Sequence, residues 1–143
     1  MTDAVLGHGA ALKRGDGESP EVFTAIAEVL SISGPSLSRD VIEATNMDST
    51  SGWREFIGGL KSGGEISFEV NYDPADATID ASGGLIDDID ATSATNYKLV
   101  FPDSGSTEWS FAGWLTGFET NIPHDDKMTA SVTITLTGVP TLA

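Results

Sequence analysis

Lys127-Met128-Thr129-Ala130-Ser131-Val132-Thr133-Ile134-Thr135-Leu136-Thr137-Gly138 decides the fold class. Met128, Ala130, Val132, Ile134 and Leu136 fall on one side of an extended chain, and Thr129, Ser131, Thr133, Thr135 and Thr137 on the other. A period of two with one apolar and one polar face is the mark of a strand that is dry on one side only. Glu65-Ile66-Ser67-Phe68-Glu69-Val70-Asn71-Tyr72 repeats the pattern, with Ile66, Phe68, Val70 and Tyr72 inward.

Working outward, weaker strands are expected over 23–33, 37–45, 97–101 and 109–119, the last bent at Gly113 and Gly117. Residues 23–33 also carry a helical reading in Ala25-Ile26-Ala27-Glu28-Val29-Leu30. One short flanking α-helix is expected within 76–90, from the spacing of Leu85, Ile86 and Ile89. Between strands lies a long loop, 47–64, that sets Trp53, Arg54, Phe56, Ile57, Leu60 and Lys61 among five glycines. Its length exceeds an ordinary connection, and its anchors need cover from the same domain or a neighbour. Residues 1–21 read as an extended N-terminal arm. The chain is thus expected to be mainly β and a single domain over 1–143.

Composition narrows the function. The 143 residues hold no cysteine, which excludes disulfides and thiol chemistry. The net charge of −15 argues against a protein that grips nucleic acid or an anionic membrane. No segment reads as a membrane span or a secretory signal, so synthesis and assembly are expected in a cytoplasm. His8 and His124 are the two histidines, and neither sits in a recognisable catalytic motif. Asp87-Asp88-Ile89-Asp90 and His124-Asp125-Asp126 lack calcium-loop spacing. No enzyme, metal or cofactor is expected.

An ordered series runs through most of the chain. It includes Gly7-His8-Gly9-Ala10-Ala11-Leu12-Lys13-Arg14-Gly15-Asp16-Gly17, Ile32-Ser33-Gly34-Pro35 and Gly52-Trp53-Arg54-Glu55-Phe56-Ile57-Gly58-Gly59-Leu60-Lys61. Later come Tyr72-Asp73-Pro74, Val100-Phe101-Pro102-Asp103, Phe111-Ala112-Gly113 and Asp126-Lys127-Met128-Thr129-Ala130-Ser131-Val132. The series resembles the lambda-type major tail tube proteins of long, non-contractile-tailed bacteriophages. That resemblance implies a β-sandwich or barrel tube-protein fold with one flanking short α-helix, and a structural virion protein, six copies of which form a ring that stacks into the tail tube. It implies tape measure, tail-tip or baseplate and terminator proteins as partners, with DNA passing through unbound. Some relatives add an immunoglobulin-like domain, which is not expected here because the sequence ends just past its last strand.

The dimensions fit the resemblance. A domain of 143 residues approximates a sphere of radius ~19 Å. Six such spheres in a ring leave a hole of roughly 37 Å, wider than a duplex of about 20 Å. The clearance, about 8 Å per side, is one Debye length, so the wall's charge reaches the DNA. Glu43, Glu65 and Glu69 are the lumen candidates, with the Thr129 to Thr137 row. Trp53, Arg54, Phe56, Ile57, Leu60 and Lys61 are the ring-stacking candidates. The competing reading is a monomeric β-sandwich module for carbohydrate or protein, using Trp109, Trp114 and Tyr97 as a platform. A hydrolase built on His124 and Asp125 is the third.

Overall fold

The computed structural model describes residue 4, residues 6–26 and residues 28–142. Its nine strands are β1 (Ala11–Gly15), β2 (Phe23–Ala25), β3 (Val29–Ser33), β4 (Ser38–Glu43), β5 (Phe56–Ser62), β6 (Glu65–Asn71), β7 (Thr95–Val100), β8 (Glu108–Asn121) and β9 (Thr129–Leu142). The alternation in β6 and β9 acts as expected. Ile66, Phe68, Val70, Ala130, Val132, Ile134 and Leu136 are buried, whereas Met128 lies before the strand and is exposed. Each fully buried aliphatic side chain contributes about 1.5–3 kcal/mol. Leu12, Tyr97, Leu99, Phe111 and Leu115 complete the core from β1, β7 and β8.

Seven strands form one antiparallel sheet in the order β2-β1-β7-β8-β9-β6-β3. Laid flat, its two edges would stand about 29 Å apart. Yet Ile26 donates its N–H to Leu12 of β1, and Glu28, two residues on, accepts from Asn71 of β6. Two residues span at most about 7 Å. The sheet must therefore roll nearly closed, and Glu28, at φ 57°, makes the crossing. Bulges in the β8–β9 ladder, at Ser110/Ala112 and Leu115/Gly117, supply the bend. Gly113 sits inside that bend, where a Cβ would lie 2.7 Å from Ile134 Cγ2.

β4 and β5 form a separate two-stranded sheet, an arm leaving the barrel between β3 and β6. Glycines frame its neck. Gly34 (φ 111°) and Gly64 (φ 68°) both have backbone of the opposite limb where a Cβ would go.

Three expectations are corrected. Residues 11–15 are not part of a free arm but a strand inside the sheet, with Leu12 fully buried. Residues 56–62 of the expected loop are strand β5, so the arm's connection shortens to 44–55, with one 3-10 turn at Thr50–Gly52. The expected α-helix is a succession of turns closing in a 3-10 helix, Ile86–Asp90. Asp76 and Asp80 accept backbone N–H bonds from Thr78 and Ser82, which favours turns over helix.

Candidate assembly surfaces

The first surface is the outer face of β3, β6, β9 and β8. Register places Glu65 opposite Thr135 and Thr135 opposite Trp114. It likewise aligns Ser31, Glu69, Ser131 and Glu119. Directly opposed residues share a face, so three carboxylates, a row of hydroxyls and one indole form a continuous wall. None of the four strands contains a lysine, arginine or histidine.

The second surface is the arm. Trp53 (76%) and Leu60 (84%) are open to solvent, as are Phe56, Ile57, Val41 and Ile42. These side chains do not fold back on their own domain, which leaves the arm apolar on both faces. Arg54 Nε lies 3.9 Å from Glu43 Oε1 near the tip.

A cleft of about 680 Å³ opens where the arm meets the end of β9. Leu37, Trp109, Val139 and Pro140 give it apolar walls, and Arg39 and Lys61 stand on it. No local pattern in the sequence marks it, because its walls come from four distant segments.

A buried ion pair fixes the 3-10 helix to the barrel. Asp88 accepts from Arg14 Nε at 2.7 Å, from Arg14 Nη2, and from the Tyr97 hydroxyl at 2.7 Å. Arg14 also donates to the Gly83 carbonyl at 2.9 Å. The hydrogen bonds to Asp88 raise the Arg14 pKa against the opposing effect of burial. Burial, then the bond to Asp88, pushes the Tyr97 phenol well above its ordinary range. At the β7–β8 turn, Thr107 donates hydroxyl and backbone N–H to Asp103 and holds that carboxyl below the usual range.

The profile of the lambda phage tail tube protein family (TTP) matches residues 9–143. The chain belongs to that family. It is a structural subunit of a phage-type tail tube and a component of the virion tail. No individual curated protein matches it by sequence. Among solved structures, the tail of an empty gene transfer agent (GTA) particle with C6 symmetry aligns at 19% identity and TM-score 0.74, covering 98% of this chain and 99% of that one. The six-fold symmetrised baseplate of the anti-feeding prophage aligns at 9% identity and TM-score 0.70, over 100% and 97%. A chain of the sheath–tube complex of an extracellular contractile injection system in its extended state aligns at 13% identity and TM-score 0.71, over 100% and 93%. At such identities these likenesses establish the shared fold.

The expected tube residues fall into two groups. Glu65 and Glu69 lie together on the wall, with Glu119 added by register. Glu43 does not join them; it sits in the arm beside Arg54. Trp53, Arg54, Phe56, Ile57, Leu60 and Lys61 all lie on the arm or its tip. The platform imagined for a binding module does not form. Tyr97 is fully buried, and Trp109, opposite buried Leu99, faces away from the wall that carries Trp114. His124 is exposed, and among the described residues no group of three or more His, Asp or Glu is placed to hold a metal.

Proposed function

We propose that six copies join side by side into a ring with the β3-β6-β9-β8 wall turned inward. Rings then stack through the arms into a conduit for DNA. The observation that carries this reading is the wall's composition: carboxylates and hydroxyls across four strands with no cationic side chain. A cationic bore would hold duplex phosphates by counterion release, whereas this wall repels them at a distance near the Debye length. Six copies of a −15 chain carry −90, so transit without adhesion is the natural outcome.

Ring closure also covers the free edges at β2 and β3. The exposed Trp53, Phe56, Ile57 and Leu60 supply the apolar contact between successive rings. The six-fold symmetry of the GTA tail and the anti-feeding prophage baseplate supports the copy number. The tape measure protein occupies the bore during assembly, and tip and terminator proteins close the two ends. The role is non-enzymatic and needs no cofactor.

Negative-stain electron microscopy tests the reading, on dilute protein, concentrated protein and protein seeded with tail-tip complexes. Hollow rings or tubes are expected. Monomers persisting through all three conditions would overturn it.

A further inference from the structure

The cleft at the arm's base holds an electrostatic anomaly. Arg39 of β4 and Lys61 of β5 are directly opposed in the ladder. Like charges so placed are destabilising. Among the described residues neither lies within ion-pair distance of a carboxylate, although acidic residues outnumber basic ones 22 to 7. The walls beneath them are apolar. The cleft is thus shaped for an apolar side chain flanked by carboxylates.

The chain carries such a group. The β8–β9 turn reads Ile122-Pro123-His124-Asp125-Asp126, with Ile122 69% exposed. Neither Asp125 nor Asp126 is ion-paired among the described residues, and Asp73 enters at the same end, beside Tyr72, whose N–H donates to Met128. This turn cannot reach its own cleft. Asn71, Thr129 and Asn121 are aligned at one end of the ladder, while Glu65 and Thr135 stand at the end from which the arm emerges. Six residues of strand, about 20 Å, separate the two ends. A group and its complement at opposite ends of one molecule meet only between copies, head to tail, and such a contact propagates.

We infer that the cleft between the arm and the end of β9 receives the Ile122–Asp126 turn of a second copy in the next ring, with Arg39 and Lys61 facing Asp125 and Asp126. This rests on the tube reading and names the contact within it. Ile122 fills the apolar floor, and the opposed cations gain the countercharge that the monomer denies them.

Charge reversal with complementation tests the pairing. One variant carries Arg39→Glu and Lys61→Glu, the other Asp125→Lys and Asp126→Lys. All four positions are exposed, and circular dichroism checks that each variant folds. Each variant alone opposes like charges at every junction, so the concentration for half-maximal assembly rises about tenfold or more. Mixed in equal amounts, the reversed cleft of one meets the reversed turn of the other, and tubes of alternating rings return toward the wild-type threshold. Assembly of either folded variant alone at the wild-type threshold would overturn the pairing. So would a mixture that stays unassembled while wild-type protein forms tubes. Wild-type protein that forms no rings under any condition would instead remove the tube reading, and this contact with it.

Discussion

Replacing Asp88 by alanine should test whether the 3-10 segment is held to the barrel by its ion pair. The Asp88 side chain is 3% exposed and accepts two bonds from Arg14 and one from the Tyr97 hydroxyl. Removal strands a guanidinium and a buried phenol together. Breaking a buried pair by deleting one partner costs about 3–5 kcal/mol. The Arg14 side chain retains 19% exposure, so water recovers part of the loss, and about 3 kcal/mol is expected. With a urea dependence of about 2 kcal/mol/M, the unfolding midpoint should fall by about 1.5 M. Asp88→Asn keeps an acceptor and should fall by roughly half as much. The double variant with Tyr97→Phe should cost less than the sum of its singles, because both remove the same bond. A midpoint shift of Asp88→Ala below about 0.3 M would refute the argument.

Three further outcomes follow from the surfaces and the buried phenol. Trp53→Ala should leave the unfolding free energy within about 0.5 kcal/mol of wild type, since the indole is exposed, yet abolish tube formation by electron microscopy; normal tubes would remove Trp53 from the stacking contact. Glu65→Lys combined with Glu69→Lys moves each subunit's wall by four charges, so assembled particles should eject DNA more slowly, and most at low salt; salt-independent, unchanged ejection would place these residues outside the bore. Tyr97 is raised in the folded protein above its unfolded value of about 10, so its contribution is complete below pH 10 and lost as pH climbs beyond it. Urea midpoints measured from pH 9 to 11.5 should therefore fall more steeply for wild type than for Tyr97→Phe, and parallel curves would contradict the assignment.

What the sequence disclosed depended on how its apolar residues are covered. β6 and β9 are dry on one face only, so period two is written plainly in them. β5 is wet on both faces as a monomer and carries Gly58-Gly59, so its strand has no alternation to read. β1 is short and polar at Lys13 and Arg14, and its pairing with β7 joins residues more than 80 positions apart, beyond any local pattern. The spacing of Leu85, Ile86 and Ile89 matched a helix, but Gly83 at φ 92° and the close approach of Gly84 to Asp80 turn the chain instead. The outward placement of Glu65 and Glu69 was legible because Ile66 and Phe68 between them are buried. The cleft was not, since Leu37, Trp109 and Val139 converge only once the barrel bends at its bulges.

The strand order has a kinetic consequence. β8 and β9 are the one long pairing between neighbours in sequence, closed by a connection of seven residues. β6 and β1 must find partners across far greater stretches, and sheets dominated by such pairings fold in milliseconds to seconds. In any state where β8 and β9 have paired before β6 docks, the aliphatic row from Ala130 to Leu136 faces water, as do the arm's indole and leucine. Such a state would be sticky in two places, of which only the arm stays exposed in the folded chain. A chaperone that shields β9 until β6 docks would therefore favour barrel closure over entanglement more than one that shields the arm.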